Sequence, residues 1–223
     1  MNPTPPAPTS DTRDRILDAA ERLFVEHGFD GTSMRMITGA ANANLAAVNY
    51  HFGSKDALVQ EVFRRRLADL NERRIAALDR LEAEAAGAPL KPSRIVEAFF
   101  GTALELAADT EHGGRTFMRL LARTYTEPNA FVRQFLAEEY AEVMDRFLSA
   151  LFRALPEVPR AEILWRFHFM IGAMAFAIAG LGGLSELFEA TPEDDDPARL
   201  LPRLMSFLLG GLRAPLPESG VAG

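Results

Sequence analysis

The stretch from Thr32 to Asp56, TSMRMITGAANANLAAVNYHFGSKD, holds two short helical patterns either side of a tight turn, with a third beginning at its end. Ser33, or Thr32 beside it, is placed to cap the first, because a hydroxyl oxygen accepts from the open N–H groups of a first turn. Met34, Ile37, Ala40 and Ala41 recur at helical spacing and predict one buried stripe. Asn42-Ala43-Asn44 interrupts the pattern: asparagine tolerates the left-handed conformation of a sharp turn, and Asn44 can cap the next helix. That helix, Leu45 to about Phe52, packs Val48 and Phe52 inward with Ala41 and leaves Leu45, Ala46, Asn49 and Tyr50 outward. Gly53-Ser54 stops it, and Ser54 can cap a further helix from Lys55. Two short helices on a tight turn, the second polar and aromatic on its outer side, form a helix-turn-helix.

Upstream, Asp11 to Gly28 reads as a supporting helix, with Asp11 as its cap and Ile16, Leu17, Ala20, Leu23 and Phe24 as its apolar stripe. Gly28 supplies the stop, and Phe29 can fold back on the last turn. Residues 1–10, MNPTPPAPTS, are too rich in proline for helix or core and read as a mobile arm without the pattern of a signal peptide.

The 223 residues leave room for a substantial core, and the lack of cysteine excludes disulfides, thiolate metal sites and cysteine nucleophiles, which fits a cytoplasmic chain. The net charge of -7 argues against a nucleic-acid binder until it is divided. Up to Arg66 the eight basic and eight acidic residues cancel, so the deficit lies wholly in the rest of the chain, and a neutral head can still carry a local basic face.

From Lys55 a long helix to about Ala86 carries Leu58, Val62, Leu67, Leu70, Ile75, Leu78 and Leu81; its Arg64-Arg65-Arg66 run reads as a solvated face. Further helices follow from a Ser93 cap to Ala108, Arg115 to Tyr125, Ala130 to Ala154, Arg160 to about Leu184 and Ala198 to Leu212. Breaks fall at Glu127-Pro128-Asn129, at Pro156 to Pro159 and at the acidic ATPEDDDP, with a disordered tail over 214–223. The expected fold is all-α: a three-helix head over 11–56 and a helical body over 57–213.

The run from Thr12 to about Leu58 resembles the DNA-binding domain of the tetracycline-repressor family of bacterial regulators. Gly28-Phe29, Thr32-Ser33, Ile37, Ala40-Ala41 and the block Val48 to Lys55, VNYHFGSK, carry the resemblance. Asn42 departs from it, standing where the family usually has glycine. The resemblance implies a homodimer reading a palindromic operator in double-stranded DNA, with the Leu45–Phe52 helix in the major groove and Tyr50, His51 and Lys55 on phosphates. A cation at a helix N-terminus supports the Lys55 role. Asn44, Leu45, Thr32 and Ser33 belong to the same face, the two hydroxyls as phosphate contacts. Asn49 suits base reading, since its amide pairs two-fold with adenine, and Ala46 and Ala47 suit thymine methyls. Arg35 reads guanine or holds a phosphate, and His51 alternatively packs against the helix from Lys55.

The body that the resemblance implies senses a small hydrophobic effector and needs no cofactor or metal. Phe99, Phe117, Met118, Leu121, Met144, Phe147, His168, Met170 and Met174 are the candidate lining, with Arg119, Arg123, Tyr125, Tyr140 and Arg166 as polar anchors; aromatic and methionine stripes equally mean core. RTFMRLLARTYTEP and WRFHFMIGAMAFAIAG resemble the fatty-acid-responsive branch of the family, which implies a long-chain fatty acid or acyl-CoA. The apolar run from Phe169 to Ser185 falls short of the ~20 residues a membrane span needs. Its small residues instead suit a helix packed closely against neighbours, either in the subunit's own core or, as the resemblance implies, across a dimer, through Phe169, Gly172, Ala173, Phe176 and Gly180 with Leu201, Leu204, Phe207 and Leu208 alongside. His27, His51, His112 and His168 are scattered, without HExxH or a carboxylate cluster, which argues against an enzyme.

Overall fold

The computed structural model describes residues 10–125, 129–178 and 197–216, and the side chains of 11–125, 129–178 and 202–216. The first nine residues, Glu127-Pro128, Gly180, the acidic turn, the Leu201 side chain and the tail beyond Leu216 lie outside the described residues. What is described is all-helical.

α1 (Ser10–Gly31) starts one residue before Asp11, so Asp11 stands inside the first turn rather than capping it; there its charge still meets the positive end of the helix dipole. Gly28, at φ 75°, kinks the helix, and Phe29 then packs on Phe24 and Phe63 with ring centroids 5.4 and 6.0 Å away. α2 (Met34–Ala40) and α3 (Leu45–Phe52) open on the predicted caps. Ser33 Oγ accepts from Met36 N at 3.2 Å and Asn44 Oδ1 from Ala47 N at 2.7 Å. Asn42, at φ 48°, makes the left-handed turn between them. Ile37, Ala41, Val48 and Phe52 are buried against Ile16, Leu17 and Phe24 of α1; Ala40, expected among them, faces solvent because the short helix ends before its stripe completes a further turn.

α4 (Lys55–Ala85), capped by Ser54, runs from this head through the body. α5 (Pro92–Val96) begins at Pro92, with Lys91 at the cap position, so the expected Ser93 cap is displaced: proline's missing N–H suits a first helical position. A π-helical turn, Glu97–Gly101, joins α5 to α6 (Thr102–Ala108). α7 (Gly114–Arg123), α8 (Ala130–Ala154), α9 (Arg160–Ile178) and α10 (Pro197–Arg213) complete the body. α4 packs along α8, α9 along α10, and α7 against both α6 and α1. One apolar core therefore runs from the head's Ile16 and Val48 to Leu208 and Leu212 of α10.

Of the three consecutive arginines of α4, Arg64 is exposed as expected, but Arg65 and Arg66 are largely covered and all three are paired. Arg64 pairs with Glu61 and with Glu139 of α8, at 3.3 and 3.1 Å; Arg65 pairs with Asp18 and Glu21 of α1, at 2.8 and 2.7 Å. Arg66 reaches the same Glu21 at 3.5 Å. The run ties α1 and α8 to α4.

Candidate nucleic-acid interface and effector core

The outer face of α3 follows from its period: with Val48 and Phe52 drawn into the core, Leu45, Ala46, Asn49 and Tyr50 stand outward, Tyr50 with 74% of its surface exposed. Ala47 is half-buried, Ser33, Arg35 and Asn44 are exposed, and Lys55 opens α4 at the end of α3. Two cations of the head are spent on carboxylates, Arg13 on Glu61 and Arg15 on Asp11, and the nearby Arg65 and Arg66 of α4 are spent on Glu21. Arg22, Arg35 and Lys55 have no carboxylate partner among the described residues; Arg35 on α2 and Lys55 at the end of α3 stand where a phosphate backbone can use their charge.

Two of the expected contacts take other roles. Thr32 is 1% exposed, and its hydroxyl donates to the carbonyls of Gly28 at 2.7 Å and Leu23 at 3.1 Å. It mends the broken end of α1 and is no phosphate contact: the kink at Gly28 frees those carbonyls, and a buried acceptor needs a donor. His51 is half-buried beside Tyr50 and Phe52, with Nε2 enclosed and without a partner among the described residues, which matches packing rather than a reach toward phosphate through that nitrogen.

The candidate lining of the body divides. Phe99 meets Phe147 at 5.1 Å and Phe167 at 4.9 Å, edge to face. Phe117 instead joins Phe63 and Phe135 nearer the head. Met118, Leu121, Met170 and Met174 are buried in the same continuous core, and Met144 is partly buried against it. His168 is exposed beside Trp165 and Phe169, off the core altogether, because it falls on the outer side of α9. Among the anchors, Arg123 donates to the Val25 carbonyl of α1, and Arg166 pairs with Glu162 at 2.8 Å and donates to the Leu212 carbonyl at 2.7 Å.

The anchor that sequence reading missed is Arg74, 1% exposed in the apolar stripe of α4. Its Nε donates to the Phe99 carbonyl at 3.0 Å, and its guanidinium lies 3.8 Å from the Phe99 ring centroid. The π turn explains the acceptor: Phe99 lies within it, and its carbonyl is shared between Arg74 and the Thr102 hydroxyl. Burial holds the Arg74 pKa below its ordinary value, against the opposing influence of Tyr140 and Tyr125. Burial likewise pushes the Tyr140 phenol up and raises that of Tyr125 to about 12, although about half of Tyr125's surface is exposed.

On α9 and α10 the expected pairing residues also divide. Phe169 (63% exposed), Gly172 and Phe176 face outward, Ala173 is half-buried, and Phe207 is 69% exposed. Leu204 and Leu208 are buried inside the subunit, because α10 turns that side onto α9 and the core. Among the described residues α9 is the one helix long and apolar enough by length and composition to cross a membrane, yet Arg166 is buried within it. No group of metal-ligating side chains occurs among the described residues.

A compact helix-turn-helix head on a helical body is the architecture of a one-chain bacterial regulator. Residues 16–62 match the family model for bacterial regulatory proteins of the tetR family, and residues 97–211, over half of the chain, match that for the tetracyclin repressor-like C-terminal domain. The chain belongs to the tetracycline-repressor family. It is 39% identical over 51 residues to the probable HTH-type transcriptional regulator YttP of Bacillus subtilis, a match covering 23% of this chain and 25% of that one. Against the HTH-type transcriptional repressor KstR2 of Rhodococcus jostii it is 40% identical over 73 residues, covering 30% of this chain and 35% of that one. These matches therefore span a quarter to about a third of the curated relatives' lengths. Among solved structures, the transcriptional regulator FadR of Bacillus subtilis in complex with stearoyl-CoA superposes with a TM-score of 0.62 at 14% identity, covering 89% of this chain and 98% of that one. At that identity the likeness is one of fold.

Proposed function

We propose that the chain is a homodimeric, cytoplasmic transcriptional repressor that reads a palindromic operator through α2 and α3 and is released from it by a small hydrophobic effector. The single observation that carries the reading is the outward row of α3, Asn49 and Tyr50 on a helix whose other side is fixed in the core, next to the unpaired Arg35 and Lys55. Asn49 is the base reader, Ala46 and Ala47 meet thymine methyls, and Ser33, Tyr50 and Lys55 hold phosphates. Dimerisation is supported by the outer face of α9, where Trp165, Phe169, Gly172 and Phe176 recur at helical spacing, flanked by Phe207 of α10. So large an apolar stripe suits a partner surface, and a two-fold operator needs two heads. The effector class is supported by the aromatic core behind α4 and by the stearoyl-CoA in the FadR complex of like fold. Ligand binding favours a body in which the two heads no longer match successive major grooves.

The test is fluorescence anisotropy on duplexes flanking the chain's own gene, with an unrelated duplex as control, at two salt concentrations. Specific binding falls steeply with salt at two subunits per site. Asn49→Ala relaxes preference at one position per half-site at a cost of ~1–3 kcal/mol, whereas Lys55→Ala weakens all duplexes alike and flattens the salt slope. Binding to genome-selected fragments that Asn49→Ala leaves unaltered overturns the reading.

A further inference from the structure

Arg74 presents a charge that the fold leaves unanswered. It occupies a position of the α4 stripe between Leu70 and Leu78, both wholly buried, where an apolar side chain would pack without penalty. A guanidinium does not discharge by losing its proton, so its desolvation must be offset by partners. Among the described residues no Asp or Glu lies within ion-pair distance of it, unlike Arg65, Arg146 and Arg166. It has one carbonyl, from Phe99, a side-chain hydrogen bond to the Tyr140 phenol oxygen, and the faces of the Phe99 and Tyr140 rings, at 3.8 and 5.8 Å. Its Nη1 is buried without a hydrogen-bond partner among the described residues. One turn earlier on α4, Asn71 spends its amide nitrogen on the Glu139 carbonyl at 3.2 Å and leaves Oδ1 buried and unpartnered as well. The Tyr140 ring lies 5.8 Å from the guanidinium, and burial keeps its phenol protonated.

We infer that Arg74, with the hydroxyl of Tyr140, forms an internal seat for the carboxylate of a free monocarboxylic acid, whose apolar tail parts the packed rings of Phe99, Phe147 and Phe167. The inference rests on the reading of the body as an effector sensor and narrows it. One guanidinium balances one negative charge, and the Tyr140 phenol supplies a neutral donor beside it. A phosphate monoester or a coenzyme A moiety would bring surplus charge to the same buried guanidinium, and a thioester has no carboxylate to offer. The acid form of an acyl chain is the match, and its activated thioester is not.

The test is isothermal titration of the full-length protein with sodium dodecanoate, 1-dodecanol and dodecanoyl-coenzyme A, on wild type, Arg74→Met and Tyr140→Phe, each checked for folding by circular dichroism. Wild type is expected to bind dodecanoate at least tenfold tighter than the alcohol or the thioester. Arg74→Met removes that preference while keeping affinity for the alcohol, and Tyr140→Phe weakens the acid several-fold without moving the alcohol. Should Arg74→Met not fold, the Tyr140→Phe split between acid and alcohol decides alone. Equal binding of acid and alcohol by wild type, a preference for the thioester, or an acid preference that both variants retain overturns the carboxylate seat and leaves the sensor reading standing. Binding of none of the three probes overturns the seat together with the hydrophobic-effector reading.

Discussion

Glu21 of α1 and Arg65 of α4 meet at 2.7 Å, with the carboxylate side chain only 3% exposed. The same carboxylate is within 3.5 Å of Arg66, and Arg65 holds Asp18 at 2.8 Å. Arg66 in turn lies against Gly113, where an added Cβ would stand 2.6 Å from its Nη2, on the loop between α6 and α7. The helix that supports the reader is therefore clamped to the long helix of the body by charge as well as by the Phe24, Phe29 and Phe63 rings.

Breaking this clamp from the acid side leaves two guanidinium groups facing a buried gap. Because Arg65 keeps Asp18 and both arginines are about a quarter exposed, Glu21→Ala is expected to cost ~1–3 kcal/mol, the loss of charge-assisted hydrogen bonds, and Glu21→Gln less because the amide oxygen still accepts. Thermal and urea unfolding of both variants, with Arg65→Met to close a double-mutant cycle, measures it. Strict additivity of the Glu21 and Arg65 substitutions would show that the pair does not act as one.

Thr32 separates a fold role from a DNA role. Thr32→Val keeps the shape but removes the donor to the Gly28 and Leu23 carbonyls, and is expected to cost ~1–3 kcal/mol. The salt slope of DNA binding stays that of wild type, since the hydroxyl is enclosed. Ser33→Ala, losing the cap on Met36 N, costs ~1 kcal/mol and, as a phosphate contact, also lowers DNA affinity. A flattened slope in Thr32→Val at unchanged stability would return Thr32 to the DNA face.

The head was legible because local rules coincide there. Ser33, Asn44 and Ser54 are the residues that cap, Asn42 is the residue that turns, and the stripe of Ile37, Val48 and Phe52 admits one packing. The body was less so. Leu204 and Leu208 face inward and Phe207 outward on a helix apolar on more than one side, so spacing alone did not say which side meets a partner. The π turn has no sequence period of its own. Arg74 did leave a signal: it falls in register with Leu67, Leu70, Leu78 and Leu81, whereas Ile75, first taken for that stripe, is half-buried. A charge at a stripe position reads as an anomaly only once the burial of its neighbours is known.

The phenols beside Arg74 give a pH test. For Tyr125 the folded-state pKa is about 12 against an ordinary 10.0, and Tyr140 shifts in the same direction, both first through burial. A raised folded-state value means the stability these groups contribute is whole below pH 10 and is lost as pH rises through the folded-state values. Phenolate absorbance of the native protein should show a late component that merges with the ordinary one in denaturant and shrinks in Tyr125→Phe. Native and denatured curves that coincide would place both phenols in water.

The outer face of α9 offers the sharpest contrast between association and folding. Phe169 and Phe207 expose 63% and 69% of their surfaces, so a subunit gains little from burying them internally, and a dimer gains most. Leu208, 1% exposed, is the reverse: it is spent inside the subunit. Phe169→Glu is therefore expected to turn a dimer into a folded monomer in sedimentation velocity, with the helical signal intact and operator affinity lost, since one head meets one half-site. Leu208→Ala is expected to cost ~2–5 kcal/mol of stability as a cavity in a packed core, while samples that remain folded still sediment as dimers. If Phe169→Glu sedimented as a dimer of unchanged affinity, the two-fold contact would have to lie on another face.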